Sequence, residues 1–409
     1  MMVLQSAYVV AVLSVAAFAY SFAAATVVVE WLGGSWRRAE RSHWTERARA
    51  AYAPGFGVLW LAAVLPPATA LVGDLGISAL TGQMHSQALP FWTVGCAAIA
   101  GVLLVRYRWL RGLWGARVTA WTWFAGCLVA LMALAPHLAI LVVLLFLMPQ
   151  TADWRAAAIL GAGILAVAAF ACGAGVQILR WLVVVRRAPG PLEQMVTELA
   201  REMNVPGRVK VFLLEWPQVN AVAWGLYRAV GFSRPLLEIM NADELRAIAA
   251  HELAHLTESK QVRGVRIAQM FAYLPAVPLI RYGGTAGTLA GELLILAVFV
   301  SYKRFTHSLE KRADHVEREA IANPAAYARS LIKLHEANLL PAVMPGHQSH
   351  PHLYDRLLAG GVQPDFPRPL PPARGKMLLA VMVMMLMVLM LMCFTIIAMG
   401  VVIRIAHQF

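Results

Sequence analysis

The residues with the clearest chemical content lie in "HELAH", residues 251–255. On a helix, positions four apart share a face, so His251 and His255 project the same way with Glu252 beside them. Two neutral imidazoles bind Zn2+, and a neighbouring glutamate takes a proton from the attacking water. The same letters also suit an amphipathic helix that ends in polar residues. A zinc peptidase site needs more: a third protein ligand and an open position for water.

Two further clusters offer such groups. In "EKRAD", residues 310–314, Glu310 and Asp314 are four apart and share a face. One carboxylate can bind zinc, and the other can accept a ring N–H from a ligand histidine and hold its tautomer. The competing reading is a solvated helix face, with Lys311, Arg312, Glu317, Arg318 and Glu319 as its ion-pairing partners. In "HPHLYDR", residues 350–356, His350 and Arg356 can donate hydrogen bonds to the oxyanion formed when water attacks a peptide carbonyl. The alternative there is a polar loop of surface histidines.

These groups need elements to position them. Asn241 followed by Glu244 is a capping box, which predicts a helix starting just before Leu245 and running through His255. Upstream, "VKVFLLEWPQVNAVAWG" holds two β-like runs, 209–214 and 220–224, split by Pro217.

The rest of the chain is membrane-like. Of 409 residues, 60% are hydrophobic and 14% charged, with mean hydropathy +0.63. Soluble proteins run nearer half apolar and about a quarter charged. The formal net charge of +13 fits cytoplasmic loops meeting anionic headgroups. No basic cluster is interleaved with aromatics in a polar segment, which argues against nucleic acid as a partner. Cys96, Cys127, Cys172 and Cys393 all sit in apolar runs without a CxxC pair, as small buried hydrophobes do.

Apolar runs at 3–29, 56–73, 89–105, 118–148, 157–185 and 377–403, with a weaker pair at 267–281 and 285–301, predict about eight spans. Pro136 interrupts the fourth and predicts a kink, with His137 satisfying it. Loops rich and poor in arginine alternate: Arg37 to Arg49, none at 74–87, Arg106 to Arg117, only Arg155, then Arg186 and Arg187. The positive-inside rule then puts the N-terminus outside and the polar segments 188–265 and 303–375 in the cytoplasm. The second polar segment ends in "PDFPRPLPPARGK", an extended linker back to the membrane. The pair at 267–301 acts as a hairpin that returns Glu310 to the side of His251 and His255. Glu292, inside that hairpin, is expected to face a cavity or a partner. The methionine-rich final span reads as a lipid-facing helix.

The series "HELAH", "EKRAD" and "HPHLYDR" resembles the HtpX and CAAX-prenyl endopeptidase family of integral-membrane zinc metallopeptidases. The resemblance covers about residues 195–360. It implies a mainly α, polytopic helical membrane protein carrying an α+β zincin domain of gluzincin type with a small edge-strand sheet. It implies one Zn2+ per chain on His251, His255 and Glu310, with Glu252 as general base. Asp314 would orient a ligand, and His350 and Arg356 would serve the carbonyl or oxyanion. Asn220, Ala221, Val222, Ala223 and Trp224 would form an edge strand on which a peptide lies. The expected domains are 1–187 with five spans, 188–375 as the protease domain interrupted by the hairpin, and 376–409 as a final span. The expected setting is the bacterial inner membrane, with peptide or membrane-protein substrates. A signal-responsive sensor protease and a non-enzymatic scaffold or transporter are the alternatives.

Overall fold

The computed structural model describes residues 2–39, 42–81, 88–134, 136–321, 323–344 and 351–406. Contacts divide it into two units: Met1–Val118 with Leu339–Pro341 and Pro369–Phe409, and Thr119–Asn338 with Ala342–Arg368.

In the first unit, α1 (Met2–Ala39), α2 (Trp44–Thr81) and α3 (Ala88–Trp114) pack with the C-terminal helix Gly375–Ala406. All four contain stretches long and apolar enough to cross a membrane. Their shared core includes Leu13, Val28, Leu61, Val102 and Met392. A Cβ on Gly101 would lie 2.6 Å from the Phe18 carbonyl oxygen, so α1 and α3 approach at a position that only glycine permits. Met392 belongs to this core and Met377 is also buried, while Met382, Met387 and Met390 are exposed.

The second unit begins with α4 (Ala120–Val129), α5 (Pro136–Leu147), α6 (Trp154–Ala171) and α7 (Ala174–Trp181). It continues with β1 (Val185–Arg187), α8 (Gly190–Glu202), β2 (Lys210–Leu214), β3 (Ala221–Trp224) and β4 (Ala229–Ser233). Then follow α9 (Arg234–Ile239), α10 (Ala242–Ala254), α11 (Lys260–Phe271), α12 (Ala276–Tyr282), α13 (Gly284–Ala320), α14 (Pro324–Asn338) and α15 (Leu353–Ala359). The chain is a mainly helical membrane protein with a small sheet, as its sequence implies.

The span count shifts in detail. Among the described residues, six helices qualify, or up to seven if 120–132 and 136–147, bent by 79°, are taken as one broken span. The bend falls where Pro136 predicts it. The run 267–281 is not one helix. It splits into α11 and α12: Pro275, between them, offers no N–H to continue the first helix, and Pro278 sits in the first turn of the second, where no donor is needed. The run 157–185 also ends early, at Gly173, whose φ of +96° breaks the helix. After the short α7 its last residue, Val185, opens β1. Glu292 is exposed on α13 and lines no described cavity.

The sheet has the order β1-β2-β4-β3, with β2 and β4 parallel and the outer pairs antiparallel. β4 is buried at every position, as a central strand requires. β3 lies at the edge. Val196 and Leu199 of α8, Val230 and Phe232 of β4, and Ile248 and Leu253 of α10 make the core beneath the site. Ala247, Ala249, Ala250 and Ala254 are almost fully buried, so α10 can sit close to the sheet on one side and to α13 and α14 on the other.

Candidate active site

The capping box read from the sequence is present. Glu244 N–H donates to Asn241 Oδ1 at 2.9 Å, and Asn241 N–H donates to Glu244 Oε2 at 3.0 Å. Lys333 of α14 also donates to Glu244 Oε2 at 2.7 Å, which ties the start of α10 to its neighbour. The far end is held by Arg312 of α13. Its guanidinium donates to the carbonyls of Ala254 and Thr257 at 3.1 and 3.2 Å and to Thr257 Oγ1 at 2.9 Å. A cation on the last carbonyls of a helix is favourable by charge and satisfies acceptors that the helix cannot.

Between these anchors, α10 presents His251 and Glu252, and His255 follows at once in a single 3-10 turn, His255–Thr257, where the sequence predicted continued α-helix. Glu310 reaches them from α13: Oε2 lies 3.3 Å from His251 Nε2, and Oε1 lies 3.6 Å from His255 Nε2. All three side chains are buried, at 7%, 9% and 6% exposure. One donor atom from each lies within 4.8 Å of the others. Zinc bonds of about 2.0–2.1 Å at tetrahedral angles separate donors by about 3.4 Å, so the donor set fits a zinc ion. Charge points the same way. Burial lowers the His251 pKa, but hydrogen bonds to Asp314 and Glu310 overcome it and carry the imidazole up to about 10. The two carboxylates at this ring favour positive charge in the cluster. Glu252 sits half-buried beside the two rings, and burial pushes its carboxyl above the ordinary value.

Each histidine has an orienting carboxylate, and each carboxylate has an arginine. His251 Nδ1 lies 3.1 Å from Asp314 Oδ1 and 2.8 Å from the Tyr327 hydroxyl, which donates to the same Asp314 oxygen at 2.8 Å. Burial keeps the Tyr327 phenol well above its ordinary pKa, so it remains a donor. Arg356 grips Asp314 from α15 and also donates to the Tyr327 hydroxyl. On the second histidine, His255 Nδ1 lies 3.4 Å from Glu258 Oε1, and Arg266 donates to both Glu258 oxygens at 2.8 and 2.6 Å. Such pairs fix the ring tautomer that turns Nε2 toward the ligand site.

The structure therefore brings together His251, Glu252, His255, Glu310, Asp314 and Arg356. Arg356 lies on Asp314 through Nε and Nη2, which leaves Nη1 as its remaining nitrogen. His350 lies outside the described residues. Sequence reasoning missed Glu258, Arg266, Tyr327 and Arg312. Glu258 had one available signal, its place three residues after His255 in the same short segment.

The edge strand runs beside the site. Ser233 N–H donates to the Asn220 carbonyl at 2.9 Å, which makes Asn220 and Ser233 a hydrogen-bonded pair. The alternation of an antiparallel ladder then turns Val222 and Trp224 toward β4. The backbone groups of Ala221 and Ala223 face the open edge. Asn338 of α14 brackets the approach to β3, accepting from Val219 N–H at 3.0 Å and donating to its carbonyl at 2.8 Å. At the other end, a Cβ on Gly225 would stand 3.5 Å from the His255 carbonyl oxygen. The strand thus ends against the turn that carries the second histidine.

Residues 187–359 match peptidase family M48. The chain carries an M48 peptidase domain. That domain spans β1 to α15 and encloses every site residue named above. Curated relatives agree. The chain is 30% identical over 195 residues to a protease HtpX homologue of Aquifex aeolicus, covering 42% of this chain and 64% of that protein. It is 25% identical over 181 residues to one of Salinibacter ruber, covering 42% and 65%. It is 44% identical over 73 residues to a protease HtpX homologue 1 of Sulfolobus acidocaldarius, covering 17% and 23%. The chain thus spans slightly under two thirds of the first two relatives and less of the third. The M48 domain carries the matched chemistry, and the spans outside it lie beyond the family match.

Proposed function

We propose that this chain is an integral-membrane zinc endopeptidase. Its substrates are membrane-associated, lipidated or damaged membrane proteins and peptides. The observation that carries the reading is the convergence of His251 Nε2, His255 Nε2 and Glu310 beside Glu252, at the end of an open edge strand. The protease names of the relatives support it. The arginine alternation supports an outside N-terminus and an M48 domain at the cytoplasmic face of a plasma membrane. The three-part domain division read from the sequence stays part of the same proposal.

His251, His255 and Glu310 would hold one zinc ion, which when bound polarises the scissile carbonyl and makes water acidic enough to attack. The peptide lies along β3, its backbone paired with Ala221 and Ala223 and its register set by Asn220 and Trp224 at the strand's ends. Glu252 accepts a proton from the attacking water and returns it to the leaving amine. Asp314 and Glu258 hold the two rings in the ligating tautomer. Arg356 acts through Asp314, with Nη1 and His350 as the donors available to the developing oxyanion. The experiment is a proteomic comparison of membranes containing the active protein or the Glu252→Gln form. Membrane proteins accumulating with the variant support the reading, and identical profiles contradict it.

A further inference from the structure

Beside the end of β3 the second unit contains a cavity of about 180 Å³. It is bounded by Ala223, Trp224 and Gly225 of the strand, by Phe170, Ala171 and Val176 from the helices α6 and α7, and by His137, Arg266 and Tyr302. Apart from the strand residues Ala223 and Trp224 and from Arg266, none of these residues has a role in the chemistry above. Arg266 locates the cavity: it forms part of the wall and also holds Glu258 against His255. The cavity therefore adjoins both the peptide track and the second ligand histidine.

We propose that this cavity is the subsite for one substrate side chain next to the scissile bond, and that it selects tyrosine. The inference rests on the peptidase reading. Size argues first. A cavity of roughly 150 Å³ lined by apolar side chains accepts benzene, so this one has room for a single aromatic ring. The lining argues second. Met132, Met270, Phe170 and Tyr227 add polarisable and aromatic surface suited to a ring. The polar groups argue third. His137 Nδ1 and Trp224 Nε1 are both buried without a hydrogen-bond partner, and both residues line the cavity. Trp224 Nε1 only donates, whereas His137 Nδ1 donates or accepts according to its tautomer. A phenol hydroxyl does both, so one tyrosine side chain satisfies either atom. Phenylalanine fills the volume but leaves the polar atoms as they are. The His137 ring is fixed for this by stacking on Tyr273, with centroids 5.0 Å apart.

The test uses the purified, zinc-loaded full chain in detergent. Internally quenched peptides carry Tyr, Phe, Leu or Ala at each position around the cleaved bond in turn. Binding of the same peptides to the Glu252→Gln form is measured by fluorescence anisotropy. At one position Tyr should exceed Ala by at least about tenfold in kcat/KM and Phe by a few-fold, since a site built to bond a hydroxyl rejects the analogue lacking it. His137→Phe should erase the Tyr-over-Phe ratio while the ring preference stays. Ala171→Phe, which fills the cavity, should invert the Tyr-over-Ala ratio. Equal rates for Tyr and Ala at every position, or ratios unchanged by both variants, overturn the subsite and leave the peptidase intact. Absence of cleavage by the unmodified chain, with Tyr-selective binding retained and lost in Ala171→Phe, overturns the peptidase reading alone. No cleavage and no selective binding overturns both.

Discussion

Arg356 holds Asp314 at two points, Nε to Oδ2 at 2.9 Å and Nη2 to Oδ1 at 2.6 Å. The pair is buried, and its second oxygen is the one that faces His251 Nδ1. Two nitrogens of an arginine expected at the reacting carbonyl are thus engaged on the carboxylate that orients a ligand, and Nη1 remains for the carbonyl. Arg356→Lys keeps the charge but loses the fork. Zinc affinity, measured by chelator competition, should fall about 10–100-fold, as for other outer-shell partners of metal ligands. Unchanged zinc affinity with reduced kcat would return Arg356 to the oxyanion.

Tyr327 closes the same network. Tyr327→Phe keeps the ring against His251, whose centroid lies 5.7 Å away, and removes only the hydroxyl. Zinc affinity should drop about tenfold. Combined with Arg356→Lys, the loss should be smaller than the product of the two, because both act through Asp314. Strict multiplicativity in the same competition assay would show that they act independently.

Glu258 is the matching carboxylate on His255, with its side chain 1% exposed and Arg266 24% exposed. Glu258→Ala strips Arg266 of its partner. Breaking a buried pair costs about 3–5 kcal/mol, and partial exposure of the arginine brings the cost below that range, to about 2–3 kcal/mol. Denaturant unfolding of the full chain measures it. Arg266→Ala in the Glu258→Ala background should recover part of the loss; no recovery would show that the ion pair is not its source.

Asn338 positions the lead-in to the edge strand and makes its hydrogen bonds away from the ligand histidines. Its side chain makes two buried hydrogen bonds to Val219 just before β3. Asn338→Ala should destabilise by about 1–3 kcal/mol and raise KM for a peptide while zinc content stays constant. A rise in KM absent from the kinetics would detach the position of the edge strand from peptide binding.

The site was legible where its chemistry is local. The capping box sets the start of α10, and the four-residue spacings of His251 with His255 and Glu310 with Asp314 follow from helical geometry alone. Partners brought by tertiary packing were not legible. Tyr327 lies in α14, and nothing in "NPAAYARS" marks its hydroxyl as a partner of His251. Short strands were hidden for a different reason. Ala229–Ser233 carries a central glycine, and Val185–Arg187 joins the last residue of an apolar run to two arginines, so it reads as the end of a span and its loop. Apolar length also misled at 267–281, where Pro275 outweighs hydropathy. His137 has a third reason: its value lies in a cavity assembled from α5, α6, α7 and β3.

The central claim is that Glu252 moves the proton at a zinc ion held by His251, His255 and Glu310. The most direct measurement pairs zinc content with cleavage for the purified full chain and its Glu252→Gln form. The account predicts about one zinc per chain in both and a loss of cleavage of at least about a hundredfold in the variant, with His251→Ala losing the metal itself. Cleavage by Glu252→Gln at the rate of the unmodified chain, or an unmodified chain that binds no zinc, would contradict it.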